Sequence, residues 1–574
     1  MAILHTDFSN QTINEDSISA ADKKTYSYIS QYGDIHYDPV ISEETDWQLF
    51  FNLTELRKGV LSWYDFPPQA RVLEIGAGFG TLTGCLCGKC AHVTATERSL
   101  YRARAIARRY EDVSNLDVYA GDLLDMEFPE RFDYIVLVGI LERMGKGSRE
   151  PEPYIEYLQF LQGLLKPGGC LLAAVENRFG LRYFCGEEEP HTHRPFDGMN
   201  RYAWGASGHS FSRREMADIV QAAGFCDHKF YYLLPDYKLP QLIYTDACLP
   251  DKGIREKLIP YYRNPDTLIA CERELYYDVI DNDVFPFFAN SFLVECNTKE
   301  ISKKYEAWQA PLCPIIYAAV STDRGAERGF ATVIRTDGVV HKKSLYEAGQ
   351  HSARKLYENI ADLHAHGIPV VEHRLLPGDI LEMPFIPWPT LSDYMKGIMR
   401  DRQDELLEML DRIYEYILQS SEHIPAEENA LSSKLGADIA FDSSKKPDFG
   451  PILEKAYMEL IPLNCFYNAK TDEFLYFDQE FVREHYPAKY VLFRAIHYMY
   501  CFTPNAEQYC PKEKLIVKYG MEDTWQIFFQ EEQIFLEEVR NKGRYSQFYQ
   551  RTGVDQGRIY ANIMHLKAVG RQGK

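Results

Sequence analysis

The run Val72-Leu73-Glu74-Ile75-Gly76-Ala77-Gly78-Phe79-Gly80 constrains this chain more than any other stretch. An apolar segment too short for a stable helix passes directly into a turn with glycine at alternate positions. Glycine enters left-handed backbone conformations without a steric penalty, and without a Cβ it lets a ligand approach the main chain closely. A strand ending in such a turn predicts a nucleoside-binding crevice at the edge of an open α/β sheet.

The residues around this turn extend the pattern. Short apolar runs at 71–75, 92–96, 116–120, 133–138 and 170–175 alternate with amphipathic stretches, which predicts a parallel sheet with crossover helices. Ile155, Leu158, Leu161 and Leu165 share one helical face, and Pro167-Gly168-Gly169 ends that helix. Ser212-Arg213-Arg214-Glu215 reads as a capping box, with Phe211 and Met216 as its staple and Gly224 as the stop. Two further runs, 230–234 and 291–295, would complete the sheet. The fold class expected is α/β, a doubly wound Rossmann-like sheet.

Carboxylates fall in order along this frame. Glu97 ends the second strand, where doubly wound folds place a carboxylate on ribose hydroxyls. Gly121-Asp122 follows the third strand, where Asp122 could accept from an adenine amino group, and Glu142 follows the fourth. The glycines stand at Gly76, Gly78 and Gly80, not at G-x-G-x-x-G spacing. Glu74, two places before the first glycine, would repel a pyrophosphate but tolerate a cationic sulfonium. Taken singly, Glu97 and Asp122 would read as solvated loop residues. Together with the strand order, the segment 71–175 resembles class I S-adenosylmethionine-dependent methyltransferases, whose first motif is E-x-G-x-G-x-G. The resemblance implies that Glu74, Gly76, Gly78, Gly80, Glu97, Gly121 and Asp122 bind S-adenosylmethionine.

Beyond the fifth strand lies a stretch dense in titratable and aromatic groups, from Glu176-Asn177-Arg178 through Tyr183 to His191-Thr192-His193. Ligands of open sheets bind past the carboxyl ends of the strands, so this stretch is expected to meet the methyl acceptor. A hydroxyl acceptor needs a base. His191, His193 and Glu142 are the candidates, with Glu176 and Tyr183 orienting. The segments 52–57, 176–183 and 234–237 look like a bacterial methyltransferase group associated with surface-polysaccharide synthesis, which implies a glycan-related acceptor.

From Ile315 the pattern changes to strands followed by helices. Alternation places Val340 and Lys342 on one strand face, making Lys342 a candidate phosphate lysine and Lys343 the alternative. Glu358 opens a helix that resembles the lysine-pairing helix of kinases. Glu459 through Asn464 has catalytic-loop spacing with glutamate in place of aspartate, and Asp478 stands where a magnesium aspartate would be. The segment 313–505 therefore resembles protein-kinase-like and aminoglycoside-kinase-like folds, an α+β domain in which Glu459 takes the base position, Lys342 and Glu358 hold ATP, and Asn464 and Asp478 hold magnesium. The glycine loop at 324–330 is degraded.

The chain of 574 residues carries a net charge of −21, which argues against nucleic acid as its main partner. No apolar run approaches the length of a membrane-spanning helix, and no export signal is visible, so a cytoplasmic protein is expected. Thirteen thinly spread cysteines fit reduced thiols. Cys85, Cys87 and Cys90 cluster, but a fourth zinc ligand at suitable spacing is missing, and packing thiols are the plainer reading. The expected organisation is a leader and helix at 1–66, the methyltransferase domain at 67–300, a linker at 299–312, the kinase-like domain at 313–505 and a helical tail at 506–574. Within the tail, the apolar residues of 525–539 could pack internally or mediate self-association. Three functions stay open: a methyltransferase with a kinase-like appendage, a methyltransferase that is also a Mg-ATP-dependent kinase, and a nucleoside-binding scaffold.

Overall fold

The structure, a computed structural model, describes residues 1–9, 18–299, 314–322, 324–442, 444, 447–540 and 543–572. The chain divides into two compact units, one of residues 1–322, 331–337 and 543–574, the other of residues 323–330 and 338–542.

The first unit is built on strands β1 (Ile3–His5), β2 (Arg71–Ile75), β3 (His92–Glu97), β4 (Leu116–Ala120), β5 (Phe132–Val138), β6 (Leu165–Glu176), β7 (Asp227–Leu234), β8 (Leu242–Thr245), β9 (Ser291–Asn297), β10 (Ile315–Val320) and β11 (Phe330–Arg335). Their spatial order is β1-β4-β3-β2-β5-β6-β9-β7-β8-β10-β11. The strands from β1 to β6 run parallel, β9 inserts antiparallel beside β6, and β7 pairs antiparallel with β9. The order steps outward in both directions from β2, so the switch point lies at the carboxyl end of β2.

Alternation along the strands sends Leu73, Ile75, Ile135, Leu137, Leu171, Ala173 and Val175 into one core. Helix Glu152–Leu164 covers it with Tyr154, Leu158 and Leu161, and helix Arg213–Ala222 with Met216, Ile219 and Val220. Each fully buried leucine there contributes about 2 kcal/mol. The Ser212–Glu215 capping box forms, and Arg178 grips the same Glu215 carboxylate through two bonds of 2.9 Å. The strand β6 begins at Leu165 and runs through Pro167-Gly168-Gly169, which sequence reading treated as a helix stop only.

The N-terminal residues are more than a leader. The strand β1 extends the sheet beside β4, and Asp22 of helix Ala20–Tyr32 pairs with Arg102 at 2.8 Å. The helix expected from the near-helical spacing of Trp47, Phe50, Phe51, Leu53, Leu56, Val60 and Leu61 is broken at Thr54 into helix Trp47–Leu53 and a 3-10 turn Glu55–Val60. Thr54 sits in extended conformation and spends its hydroxyl capping that turn. The expected linker lies, from residue 300 onward, outside the described residues.

The second unit is α+β. The strands β12 (Val339–Ser344), β13 (Arg374–Leu376) and β14 (Ile380–Pro384) pair in the order β12-β14-β13. A second sheet orders β15 (His423–Ile424), β16 (Ile452–Tyr457) and β19 (Val482–Pro487), and β17 (Cys465–Asn468) and β18 (Glu473–Tyr476) form a hairpin. Helices Gln403–Gln419 and Ala488–Phe502 supply much of its core.

The expected tail at 506–574 is divided between the units. Helix Trp525–Arg540 lies in the second unit, with Phe528, Phe535 and Val539 buried in the core and Trp525 against it. Its Glu531 and Glu532 are wholly buried against Lys434 and Arg494. Of the two roles expected for this stretch, internal packing is the one these residues serve. Residues 543–572 belong instead to the first unit, where Tyr545 and Phe548 join Trp47, Phe50 and Tyr261.

Candidate functional site

At the switch point, Gly76, Gly78 and Gly80 all adopt left-handed φ, at 70°, 63° and 79°. The turn is pinned by the amides of Gly76 and Ala77, which both donate to the Thr96 carbonyl, at 2.9 and 3.0 Å. The three glycines differ in what they require. A Cβ on Gly76 would strike the Ile140 side chain, and one on Gly80 would lie 2.9 Å from the Tyr110 ring, so these two permit packing. A Cβ on Gly78 would meet nothing within 4 Å. The face of Gly78 is therefore the open one, with room beside the main chain.

Glu97 stands beside it. One carboxylate oxygen accepts from the Gly78 amide at 2.8 Å, the other from the Ser99 amide at 3.0 Å. Burial pushes its carboxyl up, and the two amides hold it back. Glu74 lies two places before the turn's first glycine. It is buried on β2, accepts from the Thr83 hydroxyl at 2.6 Å, and is pushed up to about 7 by burial against the pull of Thr83 and Arg57. Gly121 has φ 141°, and a Cβ there would collide with the Phe8 carbonyl, so the first residues of the chain close over this point. Asp122 is half-exposed and caps the Leu124 amide at 3.2 Å.

The strand β5 neighbours β2, and β6 neighbours β5, so in the sheet β5 lies about 5 Å and β6 about 10 Å from the strand that ends in the glycine turn. Here the acceptor candidates meet. Glu142 accepts from the Glu176 amide at 2.8 Å, and Tyr183 donates to Glu176 at 3.0 Å. Burial pushes Glu142 up to about 7. The second Glu176 oxygen pairs with Lys238, while Asp236 pairs with Arg182 and accepts from the Tyr261 hydroxyl at 2.7 Å. Tyr237 presses on the turn after β5: a Cβ on Gly139 would lie 2.5 Å from its hydroxyl.

The 187–209 loop closes over this network. Glu189 accepts from the His191 and Thr192 amides at 2.7 and 3.0 Å and from the Tyr202 hydroxyl at 2.8 Å. Burial, together with the positive charges of Arg143 and Lys238, pushes His191 down to about 3. It stays neutral at physiological pH, too weak a base to remove a proton efficiently. The His193 side chain is exposed, and its amide donates to the Glu189 carbonyl at 2.8 Å.

In the second unit, Lys342 is buried and pairs with both Asp478 and Glu480. Arg324 reaches Glu480 at 2.5 Å, and Glu459 accepts from the Glu480 amide at 2.8 Å. Burial, reinforced by Glu480 and Asp478, pushes Glu459 up to about 8. Lys342 and, more weakly, Arg324 hold Asp478 below the usual carboxylate range against burial. The expected Lys342–Glu358 pair does not form. Glu358 is exposed on helix Gln350–Ala365, while its neighbour Asn359 turns inward and donates to the Gln479 carbonyl at 2.9 Å. A shift of one residue on a helix turns a side chain by about 100°, and Glu480 takes the place of the missing carboxylate. Lys343 follows Lys342 on the strand and points to the opposite face. The Asn464 carbonyl accepts from the Phe477 amide at 2.9 Å, which joins the loop to the Asp478 turn. Among the described residues, no group of three or more His, Cys, Asp or Glu side chains is arranged to hold a metal, Cys85, Cys87 and Cys90 included, and no helix is long and apolar enough to cross a membrane.

Lys238, Asp236, Arg182 and Glu480 carry no role in the sequence reading. Their signal was weak: an Asp-Tyr-Lys run just past a strand, and an acidic residue two places after Asp478.

Residues 73–171, which contain the turn, Glu97, Asp122 and Glu142, match a family model for a methyltransferase domain. A probable ribosomal RNA small subunit methyltransferase A from Methanosarcina barkeri is 46% identical over 69 residues, 12% of this chain and 24% of that protein. An uncharacterized methyltransferase from Staphylococcus carnosus is 38% identical over 102 residues, 17% of this chain and 45% of its own length. The chain thus spans between a quarter and a half of these relatives. A solved phosphoethanolamine N-methyltransferase 1 from Haemonchus contortus, in complex with phosphoethanolamine and S-adenosylhomocysteine, aligns over 52% of this chain and 55% of its own, at 13% identity and TM-score 0.28. The first unit carries a methyltransferase domain over residues 73–171.

Proposed function

We propose that the chain transfers a methyl group from S-adenosylmethionine to a polar, glycan-related acceptor. The observation that carries this reading is the open face of Gly78 beside Glu97 at the switch point, within the methyltransferase-domain segment. When bound, the donor supplies a methyl group on a positively charged sulfur. Glu97, already aligned by the Gly78 and Ser99 amides, would hold the ribose hydroxyls. The Gly121–Asp122 turn would take the adenine, with Asp122 accepting from its amino group. Glu142 is held near neutrality and is the base of this reading, with Glu176 and Tyr183 orienting the acceptor. His191, held neutral, would position and not deprotonate.

The curated relatives named for ribosomal RNA raise RNA as an acceptor. The net charge of −21 opposes it, because phosphate binding depends on a basic field. Calorimetry with S-adenosylmethionine, then isotopic methyl transfer to oligosaccharides and to RNA, tests the reading. Absence of donor binding sinks it, and label in RNA alone replaces its acceptor.

A second reading rests on the second unit, where Lys342 lies against Asp478. We infer a kinase-like site for Mg-ATP there, with Glu459 in the base position and Asn464 beside Asp478. The exposed Glu358 does not fit that scheme, and Glu480 serves in its stead. Phosphate transfer lost in Asp478→Ala would support it. Nucleoside binding in both units without transfer of either group would leave a scaffold.

A further inference from the structure

Positive charge gathers at one place on this acidic chain. The run Arg143-Met144-Gly145-Lys146-Gly147-Ser148-Arg149 holds three cations and no carboxylate, and it begins directly after Glu142. The segment 193–206 adds Arg194 and Arg201, and its one carboxylate, Asp197, is committed to Arg194. Glu150 and Glu152 follow where helix Glu152–Leu164 begins, a place that suits acidic side chains because of the helix dipole.

Contacts bring the two runs together. The Arg149 guanidinium donates to the Tyr202 carbonyl, one residue past Arg201, at 2.6 Å. A Cβ on Gly147 would strike the Ala206 carbonyl, so the turn after Lys146 lies on the end of the second run. A Cβ on Gly208 would meet both the His191 ring and the Glu142 carbonyl, and the His209 amide donates to that same carbonyl at 2.8 Å. The basic rim is therefore continuous with the acceptor network.

Arg143, Lys146, Arg149 and Arg201 are all exposed, and among the described residues none of them forms an ion pair. Beside them Trp204 exposes 75% of its surface, with the Arg194 guanidinium 5.7 Å from its ring centre. The backbone is held there at a cost. Lys146, Phe196, Arg201 and Tyr202 take left-handed φ, at 50°, 65°, 55° and 52°. Away from these two runs, the described non-glycine residues with such angles are aspartate, asparagine or histidine, which tolerate them better. Strain of this kind persists where the surrounding structure fixes it, and it gathers at ligand clamps.

We infer that this rim receives an acidic glycan, a chain of sugar rings carrying carboxylates, and that the methyl acceptor is a unit of that chain. The inference rests on the methyltransferase reading and names its acceptor class. Unpaired guanidinium groups match carboxylates in a bidentate way, and an exposed indole offers its face to the C–H side of a sugar ring. The cations of the first run stand at intervals of three residues, which suits charges repeated along a polymer. A nucleic acid also repeats its charges, but it calls for a succession of stacking rings and a wider basic field than a chain of net charge −21 provides. Arg143 carries the positive field up to Glu142, which draws the acidic unit to the base.

The test is calorimetry on the full chain with S-adenosylhomocysteine present, using trigalacturonate, galactotriose and an oligouridine RNA. Trigalacturonate is expected to bind about tenfold more tightly than galactotriose at low salt, and the two should converge at about 0.5 M salt. The triple change Arg143→Gln, Lys146→Gln and Arg201→Gln should erase that preference, and Trp204→Ala should weaken both sugars by about tenfold. All four side chains are exposed, so affinity for S-adenosylhomocysteine and the thermal midpoint should hold in both variants. Should the triple variant fail to fold, Arg143→Gln and Lys146→Gln singly decide by the same measure. Equal binding of the acidic and neutral sugars, a preference intact in the variants, or tighter binding of oligouridine than of trigalacturonate overturns the inference. If the unaltered protein does not bind S-adenosylhomocysteine, the methyltransferase reading falls, while the difference between trigalacturonate and galactotriose still decides the rim.

Discussion

The glycine turn of the first unit and the lysine cluster of the second spend their polar groups in different ways. Glu97 is satisfied by two main-chain amides, which come with the fold and stay whether or not a ligand is present. Lys342, Asp478 and Glu480 are satisfied by one another. A site of the first kind keeps its shape when empty. A site of the second kind must open its own ion pairs before an anionic nucleotide can use the lysine, so part of the binding free energy is consumed there.

The largest effect expected from this contrast is on stability. Lys342→Met leaves Glu480 with Arg324 alone and Asp478 without its partner cation, which should destabilise the second unit by about 3 kcal/mol, read from chemical unfolding. Adding Glu480→Gln should recover much of it. If Lys342→Met is neutral, the cluster is hydrated and the contrast fails. The same cluster predicts a pH dependence. Glu459, raised to about 8, keeps a proton in the folded state that the unfolded chain releases above the usual glutamate range. Stability of the second unit should therefore fall as pH rises from about 4.5 toward 8, and Glu459→Gln should flatten that decline.

In the first unit the expected effects are on affinity. Gly78→Phe places a bulky side chain at positive φ into the open space and should weaken S-adenosylmethionine binding by more than about 100-fold in calorimetry. Gly80→Ala, which meets the Tyr110 ring, should lower the thermal midpoint as well, which separates packing from binding. Glu97→Gln keeps the size but loses the charge, and about a tenfold loss of donor affinity is expected, since hydrogen bonds to a charged group contribute about 1.5–3 kcal/mol. Ser212→Ala removes a cap remote from the glycine turn. It should cost about 1 kcal/mol with no change in donor affinity.

The contrast also explains what could be read in advance. The glycine turn was legible because its requirement is local: a strand, a reversal, and three residues without a Cβ at fixed spacing. Glu176 and Glu142 were reachable because one ends β6 and the other closely follows the neighbouring β5. Lys238 and Asp236 were not, because their partners lie 62 and 54 residues away and nothing near them in sequence marks the pairing. Glu358 failed for a different reason. Helical periodicity identifies a face only to within a residue, and Asn359 turned inward. The residues of 525–539 showed an apolar stripe but not what would cover it, and the second unit's own core did so.

Tyr545 hydrogen-bonds to Asp38, and the Phe548 ring stacks at 4.5 Å on Phe50. The sequence separation of the first pair is 507 residues. At ribosomal speeds of about 5–20 residues per second, Asp38 and Phe50 emerge roughly 25–100 s before the groups that cover them. For that interval a nascent chain presents an aromatic patch that residues 545–548 have yet to cover.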